Sequence, residues 1–170
     1  PVDDRLLSYV AEVIPQLREV GLWDRQKTLV VTSFLVWKHY ESVSVERLLD
    51  EMSLIYNAEP DWLFFKAELY HRRGDMGRAE ELYRLVLRID PQYAQAYLRI
   101  GMVRESECKS NGANIDCLDS AMTWYEKYYS IAPDDLMGLK KLVELRELLR
   151  KVEIEDLRYL LDTRLNAEKY

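Results

Sequence analysis

Six glycines and five prolines in 170 residues leave little material for tight turns, flexible linkers or the frequent punctuation of a strand-rich fold. The apolar run from Leu29 to Trp37 includes Thr32 and Ser33 and is about nine residues long, where a bilayer span needs roughly 20. Membrane insertion by this segment is not expected. A basic excess is also missing: 24 Lys and Arg face 30 Asp and Glu, for a net charge of −6. The acidity is spread evenly, at −3 over 1–57, −2 over 58–133 and −1 over 134–170. Phosphate neutralisation demands a dense basic footprint, so nucleic acid is excluded as the expected partner. The pairs Arg72-Arg73 and Lys140-Lys141 read as solvated helix surface. Pro1 replaces an initiator methionine and no signal-type segment follows it, as expected of an excised domain or processed product.

What the chain does have is a duplication. Between Pro60 and Pro133, setting Ala67 over Gly101, Ala79 over Ala121, Tyr83 over Tyr125 and Asp90-Pro91 over Ala132-Pro133 brings two helical hairpins into register. Small residues recur where helices cross closely, aromatics where they fill the gap between hairpins, and proline where a helix must stop. This pattern resembles the tetratricopeptide repeat. In the first copy Ala67, Tyr70, Gly74-Asp75, Ala79, Tyr83 and Pro91 match the family pattern, while Lys66 stands in place of leucine and Val86 in place of alanine. The second keeps Tyr97, Gly101, Ala121, Tyr125 and Pro133, with Arg104 replacing an aromatic and Tyr128 a much smaller residue.

The resemblance implies an all-α, right-handed superhelix of antiparallel helix pairs, about nine helices in one domain spanning 1–170. Its best repeats are 58–91 and 92–133, flanked by degenerate helices over 1–57 and 134–170. A 34-residue period places a degenerate copy over Asp24 to Asn57, with Ser33 as its small residue and Leu49 in place of the aromatic. Leu139, Leu142, Val143 and Leu149 on one helix, and Leu157, Leu160, Leu161 and Leu165 on another, make a last pair within Leu136 to Ala167. Near the N-terminus a helix ends at about Val20, and Pro15 should kink or divide it.

The two cysteines bracket an oddity. The second copy is eight residues longer than the first, and the extra length must lie between its helices, where Cys108 and Cys117 flank a polar segment. A disulfide, two reduced thiols and a metal site are the alternatives. The spacing is not C-x-x-C, both histidines are distant, and Asn111, Asn114, Asp116 and Asp119 do not follow calcium-loop spacing. A disulfide closing the loop is the expectation, and it implies an oxidising compartment. Asp116 and Asp119 read as a helix N-cap with a first-turn acid.

Catalytic constellations are not evident: no Gly-rich phosphate loop, nucleophile elbow, H-E-x-x-H or magnesium-binding aspartate cluster occurs. No cofactor or metal is expected. His39 reads as a packing or surface residue, and His71, sharing a face with Phe64 and Glu68, is one imidazole beside one carboxylate. In the family that the chain resembles, the first helix of each hairpin lines a concave groove for a peptide or protein. Residue by residue, this implies contacts from Asp61, Phe64, Glu68, His71 and Arg72, then Gln95, Leu98, Arg99 and Met102, then Met137, Lys140, Lys141 and Glu144. Core placement of Leu98 and Met102 is the alternative, because repeat helices bury two faces. The family's carboxylate clamp needs lysine and asparagine where this chain has Phe64 and Glu68, and only Arg99 remains of its second basic pair. The expected function is thus a non-enzymatic module for a protein or peptide, with homo-oligomerisation open. The alternative is a regulatory or specificity domain of a larger extracytoplasmic or membrane-bound enzyme, such as a bacterial envelope glycan ligase or polymerase.

Overall fold

The computed structural model describes residues 4–22 and 24–167; in them eight α-helices follow one another: α1 (Asp4–Glu19), α2 (Arg25–His39), α3 (Val43–Ile55), α4 (Pro60–Arg72), α5 (Met76–Ile89), α6 (Ala94–Ser110), α7 (Ile115–Ile131) and α8 (Leu136–Ala167). They divide into two compact units, Pro1–Pro91 and Gln92–Tyr170.

In the first unit, α1 runs to Glu19 without division at Pro15. Asp24 then caps α2 by accepting from the Lys27 amide at 2.8 Å, and Ser42 caps α3. The expected degenerate hairpin is therefore present as α2 and α3, with Leu49 fully buried. Ser33 is not its close-packed small residue: it faces solvent, and Thr28 and Thr32 are buried instead, Thr28 turning its hydroxyl back onto the Asp24 carbonyl at 3.0 Å. Pro60 occupies the first position of α4, where a missing N–H costs nothing. Helix α4 packs against α2, α3 and α5, and buries Trp62, Phe65, Ala67 and Leu69. Tyr56 stacks on Trp62 at 6.0 Å, and Arg18, itself paired with Glu59, lies 4.2 Å above the Tyr56 ring. Gly74, at φ 82°, turns the chain from α4 to α5 in a backbone conformation that other residues adopt only under strain.

Polar clamps complete this unit. The Arg25 guanidinium grips the buried Asp61 carboxylate at 2.7 and 3.2 Å. Arg73 donates to the carbonyls of Tyr40 at 2.7 Å and Ser42 at 3.3 Å, and to Glu46 at 2.5 Å. The Arg73 bond, reinforced by the Tyr70 hydroxyl, holds the Glu46 carboxyl below its ordinary value against the effect of burial. Of the Arg72-Arg73 pair, only Arg72 is solvated surface.

In the second unit α6 and α7 form a longer hairpin. Each has 17 residues, against 13 for α4 and 14 for α5. Seven of the eight extra residues therefore extend the two helices by about a turn each, and the connecting loop grows by only one. The expected insertion thus goes mostly into helix, and the loop itself is only 111–114. Cys108 lies in the last turns of α6 and Cys117 in the first turn of α7, joined by a disulfide with Cα atoms 5.6 Å apart. Asn114, not Asp116, caps α7, accepting from the Cys117 amide at 2.9 Å; Asp116 is the first-turn acid.

A buried cluster of Leu98, Cys108, Leu118, Ala121, Met122, Tyr125, Tyr128 and Leu145 unites α6, α7 and α8. Tyr128 fits because Gly138 leaves room: a Cβ there would lie 2.6 Å from the ring. Burial and the bond to Asp135 push the Tyr128 hydroxyl up to about 12. The expected last helix pair is instead the single 32-residue α8, so the described chain has eight helices rather than nine. Neither glycine nor proline interrupts 139–167, so the strongest breakers of a helix are missing from that stretch.

Candidate functional site

Helix α4 carries five of the expected contact residues, Asp61, Phe64, Glu68, His71 and Arg72. Phe64 is only 8% exposed, with its ring 5.6 Å from Tyr83 and edge-on to Phe65 at 6.0 Å. It is a core residue because α4 packs against helices on more than one side. One turn on, Glu68 accepts from the Tyr83 hydroxyl at 2.5 Å, and the His71 Nδ1 lies 3.3 Å from the same oxygen. Both are half-buried, and Arg72 beside them is exposed. Tyr83, fully buried by its ring, thus orients a carboxylate and an imidazole at the C-terminal end of α4, next to a free-standing guanidinium face. Asp61 is withdrawn from any surface role by Arg25.

The second unit divides its residues in the same way. Leu98 is 7% exposed and belongs to the core cluster, whereas Met102 is half-buried at its edge. Arg99 donates to the Met102 sulfur at 3.5 Å, and Gln95, a turn earlier on α6, is exposed. On α8, Lys140 stands in solvent with Glu144 4.0 Å away, and Met137 is exposed. Lys141 turns inward instead, reaching Glu105 at 3.3 Å.

Glu105 is the residue that the sequence pattern missed. It is 5% exposed, accepts from the Tyr125 hydroxyl at 2.6 Å and the Lys109 ammonium at 2.6 Å, and so ties α6 to α7 and α8. Burial alone would raise its carboxyl, but the bonds from Lys109 and Tyr125 and the Lys141 charge outweigh that and hold it below the ordinary glutamate value. Burial and the Glu105 bond push the Tyr125 hydroxyl far up, so it remains a donor. A glutamate within a charged stretch of α6 gave no periodic signal for this role.

Two surface grooves accompany these residues. One, of about 540 Å³, lies on α4 and α5 between Lys66, Tyr70, Arg78, Leu82 and Arg88. Lys66 reaches the Asp50 carboxylate there at 2.5 Å, which accounts for a cation where leucine is usual. The other, of about 720 Å³, is apolar and lies along Leu136, Met137, Leu139 and Val143. Among the described residues no group of three or more His, Cys, Asp or Glu side chains is arranged to hold a metal ion, and no helix is long and apolar enough to cross a membrane.

Residues 63–93 match the family model of the tetratricopeptide repeat. Among solved structures the chain is similar to MamA, at a TM-score of 0.60 and 14% identity over 96% of this chain and 92% of that one. It is also similar to the first TPR of Spaghetti (RPAP3), solved bound to the HSP90 peptide SRMEEVD, at a TM-score of 0.55 and 17% identity over 86% and 98%. At such identities the likeness is one of fold. No curated protein sequence matches the chain.

Proposed function

The chain carries a tetratricopeptide repeat in a fold of that kind, and from this premise we propose that it is a non-enzymatic module that binds a protein or peptide through the first helices of its hairpins. The observation that carries this reading is the Tyr83–Glu68–His71 arrangement beside exposed Arg72: a buried hydroxyl holds a carboxylate and an imidazole on the helix end that also presents the Arg72 guanidinium. Arg99, Met102 and Gln95 on α6 and Lys140 on α8 supply further polar and apolar contact. Phe64 and Leu98 act beneath that surface by packing, so they hold the binding residues in place.

The similar RPAP3 domain binds a peptide ending in acidic residues and a carboxylate. In this chain Glu68 would repel such an end, so the partner is recognised through mixed-charge and apolar contacts. Replacing Arg72 and Arg99 by alanine should weaken partner binding by about 1–2 kcal/mol each while leaving helicity intact. Pull-downs with the wild-type chain and the double variant, followed by titration of the partner that is lost, test this directly. Identical partners and affinities for both proteins would remove these helices as the binding surface.

A further inference from the structure

Helix α8 has one more apolar face than its own unit uses. Leu142, Leu145, Leu148, Leu149 and Val152 pack inward on the core cluster. Leu136, Leu139 and Val143 recur at intervals of three and four on another side of the helix, and are 73%, 42% and 51% exposed. Continuing that spacing leads to Glu147 and Arg150, both exposed, then to Ile154 at 50% exposure. In the sequence, positions 157 and 161, both leucine, carry the same spacing onward. From Leu136 to Ile154 the stripe keeps the spacing of a two-helix seam over 19 residues, about 28 Å of helix.

The charges in the middle of the stripe select the occupant. In a parallel, in-register pair Glu147 would meet Glu147 and Arg150 would meet Arg150, two like-charge contacts at the centre. Turned antiparallel about a two-fold axis between Leu148 and Leu149, the same stripe sets Glu147 against Arg150 twice and Val143 against Ile154 twice, while Leu139 meets Arg158. From Val143 to Ile154 the stripe is complementary to itself in that orientation, as a closed two-fold interface requires. We infer that α8 is a homodimerisation helix, pairing antiparallel with α8 of a second copy. The partner is the same chain because Val143, Glu147, Arg150 and Ile154 supply the matching apolar and charged surface at the centre of the stripe.

Sedimentation velocity of the full 170-residue chain across micromolar to submillimolar concentration tests the inference. The wild-type chain should pass from monomer to dimer. Val143→Glu should hold it monomeric, and Glu147→Arg should weaken the dimer by about tenfold or more, since it places four cations at the centre. The double variant Glu147→Arg/Arg150→Glu should restore dimerisation, because the swap recreates the same pairs. All three positions are solvent-exposed in the chain, and circular dichroism confirms that each variant retains its helix. A wild-type chain that stays monomeric, a dimer indifferent to Val143→Glu, or a charge swap that fails to rescue would each overturn the pairing.

Discussion

In α4/α5 the hydroxyl of Tyr83 is shared by Glu68 and His71, both half-buried; in α6/α7 the hydroxyl of Tyr125, at the matching position, meets the buried carboxylate of Glu105. The small residues opposite differ too. Ala67 has room for its methyl group, whereas a Cβ at Gly101 would come within 2.7 Å of the Tyr125 ring. The longer hairpin adds a disulfide at its turn and the exchange of bulk between Tyr128 and Gly138. A repeat pattern thus prescribes where small and large residues meet, but each hairpin finds its own balance of volume and hydrogen bonding. The first keeps its tyrosine network near solvent, where it can serve recognition, and the second buries its network as structure.

The largest expected effect breaks the comparison at the helix crossing. Gly101→Leu should cost about 3 kcal/mol or more, because the ring of Tyr125 is itself fully buried and has nowhere to move. Ala67→Leu should cost about 1–3 kcal/mol. Urea denaturation of both variants measures the difference, and equal, negligible losses would show that the register equating Ala67 with Gly101 is wrong.

Reduction comes next. The Cys108–Cys117 bond closes a short loop, for which chain entropy gives roughly 2–3 kcal/mol. Thermal melts with and without reductant should show that loss, while hydrogen exchange in α4 and α5, which hold no cysteine, should stay protected. Loss of protection across α4 and α5 on reduction would show that the bond supports more than its own hairpin.

The tyrosines sharpen the contrast. Tyr125→Phe strips a bond from a buried carboxylate and should cost about 1–3 kcal/mol. Tyr83→Phe leaves Glu68 and His71 within reach of water and should cost less, yet it should weaken partner binding because both side chains lose their orientation. Equal stability losses with unchanged binding would erase the distinction between a recognition network and a structural one.

Much of this was legible in the sequence where a physical rule repeats. Ala67, Gly101, Tyr83, Tyr125 and the three junction prolines located α4 to α7, since close crossings and helix stops leave few choices of residue. The disulfide followed from two cysteines bracketing one turn. Helix α8 was misread because Leu139 to Leu149 and Leu157 to Leu165 are two apolar clusters parted by a charged stretch, and such clusters look alike whether the backbone reverses between them or continues. The inserted length was misread for a related reason: residues 107–110 and 115–117 continue α6 and α7, because polar residues extend a helix when its opposite side is buried, and only 111–114 form the loop. Phe64 was assigned to the groove surface, and Leu98 was left between groove and core, because a family's groove positions do not state how deeply each side chain sits. The bonds from Glu105 to Tyr125 and from Arg73 to Glu46 join residues 20 or more positions apart, and no local pattern encodes such contacts.

Acid should expose the last difference, and its effect is the smallest. Glu105 in the second unit and Glu46 in the first both have carboxyls held below the ordinary value near 4.5. A depressed carboxyl contributes stability that is present above its unfolded value and is lost as pH falls through the folded one. Stability should therefore hold from neutral pH to about 5 and decline below it. Glu46 is partly solvated, so screening discounts its share, whereas Glu105 is enclosed and should account for more of the decline. Melting temperatures from pH 6 to pH 3 should fall more gently in Glu105→Gln, which starts lower and has no charge there to lose, than in Glu46→Gln. Parallel curves for the wild type and Glu105→Gln would mean that the buried carboxylate does not titrate in that window, and that acid acts on the two units alike.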